Sequence, residues 1–439
     1  MCLQSPRQLI ESLESEFLCG SPDPGLTRLK QYRLLETRKS AEAAEPLSNE
    51  EFLRQSEITV EFCYDIEHHM DRIIELLNRT NQLNFTKRRV ESGEARRQFE
   101  DELNRFGFKA GVVKVRDRYG DYGVVGFFMT LATLRVYRYE HLVFSCRIMN
   151  MGVEQFVHAY LNSPAIEIKP PVANGLKPFD HVDWITEAKH EPNLTSLKRH
   201  KVLLVGGCDM LQLSSYCSAE SVEFTNRADG ELMIRFDDPN FFLANREEVQ
   251  ASVLRPQIPA WTAADMAAFE RHVADADLIV LSFYEMMTVT YFRGTDGLLL
   301  RFHQETLKNI LKSDRAIWFV RNFSHVSFTF EERLEKVKLS VASIARRSKE
   351  QCKVVLLSEN VRRMDHNAGE ADRRMRYNEY IYKMVDTIPK LRLIDVNATT
   401  NMEWIIDGWH MTRQGYLELA KQVMKLADDG SSPARADLG

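Results

Sequence analysis

From Lys201 onward, short apolar runs alternate with stretches of helical periodicity, and this alternation limits the fold more than any other feature. The runs are Lys201–Val205, Asp277–Ser282, Ala316–Arg321, Lys353–Leu357 and Leu391–Val396, with helical patterns at Phe330–Ala345 and Asp372–Val385 between them. Strands joined through helices close into a mostly parallel sheet covered on both faces. This half is therefore expected to be a three-layer α/β/α domain. At 439 residues the chain is too long for one ordinary core, so two or three domains are expected.

The first half reads differently. A charged helical run spans Leu26–Ala44, and Ser48 with Glu51 three residues on marks a capped helix start. Ile58–Phe62 alternates like a strand, and Asp65–Asn81 carries apolar positions at helical spacing (Met70, Ile73, Ile74, Leu76, Leu77). Val112–Arg116 and Gly123–Met129 read as paired strands around the turn residues Tyr119–Gly123, with Arg116, Asp117 and Arg118 on an exposed turn. Leu131–Tyr137 and His141–Cys146 suggest further strands, and Val153–Leu161 a helix. Residues 163–199, rich in Pro, Asn and His, read as a junction.

Hydrophobic content of 44% and charged content of 28% describe a globular protein, and a net charge of -5 gives no general pull towards nucleic acid or anionic membrane. No stretch approaches the ~18 uninterrupted apolar residues of a membrane span, and Met1–Arg7 lacks the pattern of a secretory signal, so a cytoplasmic location is expected. The seven cysteines (Cys2, Cys19, Cys63, Cys146, Cys208, Cys217, Cys352) are odd in number and follow no metal-ligand spacing. That argues against a disulfide framework and against structural zinc, and nothing in the chain calls for a metal.

Near the C-terminus, Asp407 precedes His410 by three residues at the mouth of an apolar helix (Leu417, Leu419, Ala420, Val423, Met424). A carboxylate so placed fixes the imidazole tautomer and stabilises its cation, leaving the other ring nitrogen free to deprotonate a nucleophile. The segment Ile405–Tyr416 resembles the last motif block of the SGNH/GDSL hydrolases, and Arg376–Ile381 followed by Leu393–Asn397 resembles that family's penultimate helix and strand. Val202–Cys208 sits where the family has its first strand and its Gly-Asp-Ser nucleophile turn, with Cys208 at the Ser position. The resemblance implies a Cys208–His410–Asp407 triad able to take an acyl group from a thioester. The competing reading is a small buried cysteine in a domain without chemistry, with Asp407 and His410 a merely structural pair. For the family's oxyanion Asn, two segments compete: Asp277–Glu285, which has Tyr284 and Glu285 where Asn-Asp is expected, and Ala316–Asn322. Asn322 is the preferred candidate.

In the first half, Leu77–Arg89, Val115–Gly126 and Phe144–Glu154, in this order and spacing, resemble the C-terminal part of FkbH-like proteins. Those pair a HAD-type phosphatase with a GNAT-like acyltransferase domain and prime carrier proteins in polyketide pathways. The Asp-x-Asp nucleophile of the HAD core does not precede residue 50, so phosphatase chemistry is not carried over. A GNAT-like fold would bind pantetheine at a turn of the form Arg-x-x-Gly-x-Gly; Arg147–Gly152 fits with Asn150 at the middle glycine, a residue that tolerates left-handed backbone. By resemblance Cys146 holds an acyl thioester, the alternative being a buried strand thiol. Arg79, Asn81, Gln82 and Asn84 form a polar patch for acyl or pantetheine recognition, or else cap a helix and brace a loop.

The expected organisation is a helical segment over 1–50, a GNAT-like α+β domain over 51–185, a linker over 186–198, an SGNH-type, flavodoxin-like domain over 199–430 and a tail over 431–439. The resemblances imply an acyltransferase of a polyketide or nonribosomal-peptide pathway. It would move an acyl group from carrier-protein phosphopantetheine (or coenzyme A) to a small-molecule acceptor, with no permanently bound cofactor. An SGNH-type esterase or thioesterase, and a non-catalytic carrier-protein scaffold, are the rival expectations.

Overall fold

A computed structural model describes residues 26–44, 48–133, 136–188, 200–217, 221–225, 227–229, 232–234, 243, 251–257, 263–302, 304–362 and 368–428. The first half of the expected 1–50 segment, most of the linker and the tail lie outside the described residues. Among those described, the chain is mixed α/β, and no helix is long and apolar enough to cross a membrane.

The first sheet has the order β4–β3–β2–β1–β5. Its strands are β1 (Ile58–Cys63), β2 (Phe108–Asp117), β3 (Gly120–Ala132), β4 (Tyr137–Phe144) and β5 (Ile185–Glu187). The first four pair antiparallel, and β5 adds parallel to β1. In β1, Ile58, Val60 and Phe62 are buried in alternation, the signature of a strand with one face on a core. Helices Met70–Arg79 and Glu94–Leu103 cover the other face through Ile73, Leu76, Leu77, Phe99 and Leu103. Helix Asn49–Gln55 starts with the capping box that Ser48 and Glu51 foretell.

Three expectations change here. Arg116 and Arg118 are exposed as expected, with Arg116 pairing with Asp121 at 3.4 Å, but Asp117 is not: its carboxylate is buried and accepts from Tyr119 N–H (2.9 Å), Gly120 N–H (3.1 Å) and the Tyr122 hydroxyl (2.8 Å). Leu131–Tyr137 is not one strand; Leu131 and Ala132 end β3, and Tyr137 opens β4. The first sheet also runs to Glu187, two residues into the stretch read as linker.

The second sheet is wholly parallel, with the order β15–β14–β10–β6–β7. In chain order its region contains β6 (Val202–Gly206), β7 (Ser221–Thr225), the hairpin β8 (Arg227–Asp229) and β9 (Leu232–Ile234), β10 (Leu278–Leu281), β11 (Thr290–Gly294), β12 (Leu299–Phe302), β13 (Phe323–Val326), β14 (Lys353–Leu357) and β15 (Leu391–Ile394). Numbered along this half, the sheet strands run 2-1-3-4-5, a doubly wound order. Both faces are covered, which is why its strands are continuously apolar. Leu203, Val205, Ile279 and Leu281 face helices Ala263–Asp275, Phe330–Arg347 and Ala368–Met384. Val202, Leu204, Leu278 and Val280 face helices Cys208–Ser214 and Arg413–Asp428. Between β10 and β14 the chain makes a small antiparallel sheet, β12–β11–β13, with its own core around Phe292, Phe302, Phe319 and Phe323.

One hydrophobic cluster joins the two halves, running from Phe62, Tyr64 and Phe128 to Tyr216, Leu417 and Ala420. Tyr64 and Tyr216 meet edge to face with centroids 5.5 Å apart. Buried polar contacts cross the same boundary. Gln212 Nε2 donates to Ala132 O at 2.8 Å, and Arg413 donates to Tyr64 O at 2.7 Å and pairs with Glu67.

Candidate active site

Strand β6 ends at Gly206, where backbone leaves no room for a side chain, and Gly207 follows in close quarters with two carboxylates. A Cβ on Gly206 would lie 2.8 Å from Ser282 O, and one on Gly207 would lie 3.0 Å from Glu285 Oε1 and 3.2 Å from Asp209 Oδ1. Helix Cys208–Ser214 starts immediately after them, so Cys208 stands at the carboxyl edge of a central strand, where ligands bind in such sheets. From the far end of the sequence, the loop before helix Arg413–Asp428 folds back on itself. Ile405 bridges Met411, and Ile406 N–H donates to His410 O at 3.0 Å. Asp407 Oδ1 accepts from Trp409 N–H (2.7 Å) and His410 N–H (2.9 Å), which turns its other oxygen towards the imidazole.

The result is a connected triad. Cys208 Sγ lies 3.5 Å from His410 Nε2, and His410 Nδ1 lies 3.0 Å from Asp407 Oδ2. Partial burial alone would raise the Asp407 carboxyl, but hydrogen bonds from His410 and Trp409 outweigh it and hold the group below the ordinary carboxylate range. A carboxylate on Nδ1–H leaves Nε2 as the acceptor facing sulfur. Elsewhere in the chain, burial pushes the Cys217 thiol up to about 12 and the Cys352 thiol up to about 11, the condition of inert core cysteines.

A cavity of about 320 Å³ opens beside this triad, lined by Cys208, Asp209, Ser282, Tyr284, Glu285, Glu359, Trp409 and His410 among others. Its wall is acidic. Burial pushes the Asp209 carboxyl up to about 6, against a hydrogen bond with Ser282. Burial also pushes Glu359 up to about 8, with nearby Arg374 opposing and Asp209 and Glu285 adding to the shift. Glu359 Oε2 also lies 3.5 Å from Arg374 Nη1, so the carboxyl keeps a cationic partner. Behind this wall Arg374 is fully buried. It donates to Glu370 (3.2 Å), Asn360 O (2.9 Å) and Gly408 O, and its guanidinium lies 4.3 Å from the Trp409 ring centroid and 5.0 Å from that of Tyr284. The loop that carries His410 is thus pinned from below by a buried cation.

Asn322 does not join this site. Ala316–Asn322 is a helix rather than a strand; Asn322 ends it, donating to Trp318 O at 2.8 Å, and does not line the Cys208 cavity. The segment set aside in its favour, Ser282–Glu285 at the end of β10, is the one that lines the cavity. The sequence reading also missed Asp209, Glu359 and Arg374. Ser282 follows β10 by one residue and Glu359 follows β14 by two, so both stand at the carboxyl edge of the sheet, where ligands bind in such folds.

A second cavity, of about 460 Å³, lies in the first half and gathers Arg79, Cys146 and Arg147 with Arg72, Glu75 and Tyr32. Cys146 is exposed rather than a buried strand thiol. Glu75 accepts from Arg72 (2.6 Å) and Arg79 (2.8 Å). Burial, and then Arg72, hold the Arg147 guanidinium below its ordinary value. Asn150 and Gly152 adopt left-handed backbone (φ 63° and 80°), as the turn requires, without lining the cavity. Asn81, Gln82 and Asn84 do not line it either. Asn81 accepts from Arg89 at 2.7 Å, and buried Asn84 joins Leu77 O to Lys87 N–H, so these amides brace the loop. Gln82 is exposed, its carbonyl accepting from Ala173 N–H at 2.8 Å.

Among the described residues no group of three or more His, Cys, Asp or Glu side chains is arranged to hold a metal ion. The chain matches no protein-family model, and no curated protein shows significant similarity to it.

Proposed function

We propose that the chain is a cysteine-dependent acyltransferase taking its acyl group from a thioester, with the Cys208–His410–Asp407 geometry as the observation that carries the reading. Residues 202 positions apart meet at hydrogen-bond range beside a cavity, in the order a nucleophile, base and orienting carboxylate require. The SGNH-like reading draws support from the 2-1-3-4-5 strand order, from a nucleophile just past the first strand and from an Asp-x-x-His ahead of the last helix.

In the first step His410 Nε2 takes the thiol proton and Sγ attacks the thioester carbonyl, giving a tetrahedral oxyanion. Collapse breaks the carbon–sulfur bond of the donor, and the departing pantetheine thiolate recovers the proton from His410. Cys208 now holds the acyl group. His410 then deprotonates a hydroxyl, amine or thiol acceptor, whose attack releases product and returns the proton to Cys208. A donor carried on phosphopantetheine suits the first-half cavity. There Arg72, Arg79 and Arg147 face a single carboxylate, Glu75, and an excess of guanidinium attracts phosphate.

The test is single-turnover transfer from an acylated carrier protein to a panel of acceptors, with Cys208→Ala and His410→Ala beside wild type. Acceptor-dependent product that both variants abolish supports the reading. Free acid as sole product, whatever acceptor is offered, makes the protein a thioesterase. Unchanged turnover in both variants removes the triad mechanism, and no turnover with retained carrier binding leaves a scaffold.

A further inference from the structure

The triad lies within the second half, but the first half packs against it. Helix Glu94–Leu103 enters β2 through a turn in which Phe108 N–H donates to Arg105 O at 3.4 Å. Gly107 takes φ +94° there, and a Cβ would lie 3.0 Å from Leu131 Cδ1 and 3.3 Å from Ala132 O. A side chain at 107 is strained on both counts, so the turn requires glycine there. Phe106 leaves the turn across the domain boundary. The Phe106 ring centroid lies 4.0 Å from that of His410, tilted by 43°, and 6.3 Å from that of Tyr416. Next to this turn, Ala132 O accepts from buried Gln212, which sits on the helix that Cys208 begins. Arg413, three residues beyond His410, is buried and tied to Tyr64 O and Glu67. The first half therefore holds the nucleophile's helix and the base's helix by separate bonds, and touches the base itself with an aromatic ring.

We infer that Phe106 is a positioning residue of the acyl-transfer site: the first domain supplies the ring that keeps the His410 imidazole on Cys208. Asp407 constrains the imidazole at one nitrogen, and a single hydrogen bond leaves the ring free to swing about it. An aromatic face at 4.0 Å removes that swing. It also attracts the imidazolium formed when sulfur gives up its proton, through the ring quadrupole. A Leu would fill the same space without that face. This inference rests on the Cys208–His410 reading, and its test separates the two.

The experiment measures the iodoacetamide alkylation rate of Cys208 by peptide mass mapping at one pH. It compares the full-length wild type, His410→Ala, Phe106→Leu and Phe106→Tyr, with thermal unfolding followed for each. Slow alkylation in H410A, a loss of roughly threefold to tenfold in F106L and near wild-type rates in F106Y are expected. Wild-type rates in F106L beside slow H410A overturn the role of Phe106 and leave the base standing. Equal losses in F106L and F106Y overturn the claim that an aromatic face matters. Wild-type rates in H410A overturn the base, and the inference with it. Wild-type protein gives an independent reading should F106L unfold: ring-current shifts on the His410 side-chain protons support the contact, and their absence in the folded protein overturns it.

Discussion

Asp407→Asn isolates the part of the site that makes His410 a base. The amide oxygen of Asn keeps an acceptor for Trp409 N–H and His410 N–H, now at 2.7 and 2.9 Å, so the loop should hold its shape. The other end of the side chain changes sign. Where Oδ2 accepts from Nδ1 at 3.0 Å, the NH2 group of Asn donates, and the imidazole proton moves to Nε2. That nitrogen faces Cys208 Sγ at 3.5 Å and, once protonated, has no lone pair for the thiol proton. The lost carboxylate also withdraws its attraction for the imidazolium. Because the Asp407 side chain is 50% exposed, solvent screening limits that attraction to about 1–2 kcal/mol, or roughly tenfold in rate. Together with loss of the base, the transfer rate should fall about 100-fold to 10,000-fold. Stability should stay within about 1 kcal/mol of wild type. Single-turnover acyl transfer across pH 5 to 9, beside a urea melt, measures both. A stably folded variant within about threefold of wild type would refute the reasoning.

Three further outcomes follow from the surrounding residues. Glu359 is raised from 4.5 to about 8, so between those values the folded state holds a proton that the unfolded state lacks. Stability therefore falls as pH rises through that window, by up to about 1.4 kcal/mol per pH unit, and Glu359→Gln should flatten the slope in urea melts from pH 5 to 8. Arg374→Met removes the buried donor to Gly408 O, Asn360 O and Glu370 and should cost about 3–5 kcal/mol in a chemical denaturation series, with slower Cys208 alkylation because the His410 loop loosens. Asn322→Ala should leave acyl transfer unchanged and lower stability by no more than about 1 kcal/mol, since among the described residues its side chain bonds its own helix at Trp318 O.

Chemistry within one segment was legible in the chain; contacts between segments were not, apart from the Cys208–His410 pair that the family resemblance implies. Asp407 and His410 stand three residues apart in one loop, so spacing alone places carboxylate beside imidazole. Cys208 stood out because Val202–Cys208 resembles the first strand and nucleophile turn of the SGNH hydrolases, and the run does form a strand ending at Gly206. The Ser48–Glu51 box was equally local. Ala316–Val320 misled because five apolar residues fit a strand or a helix equally well. Phe319 is buried and Trp318 partly so, while Ile317 and Val320 are exposed on a short helix that leans on a small separate core. The amides at Asn81 and Asn84 looked functional by density, yet a loop beginning where helix Met70–Arg79 stops needs polar side chains to satisfy its own backbone. Arg374 and Phe106 carry no local signature, because what they do for the site runs through partners on other segments.

The acyl-enzyme tests the account most directly. Full-length protein would be mixed with an acyl thioester, quenched in acid within one turnover, digested and mass-mapped. The acyl mass should sit on the peptide containing Cys208, persist in Cys146→Ala and vanish in Cys208→Ala together with product. Product formed by Cys208→Ala at the wild-type rate, or label found on Cys146 alone, would contradict it.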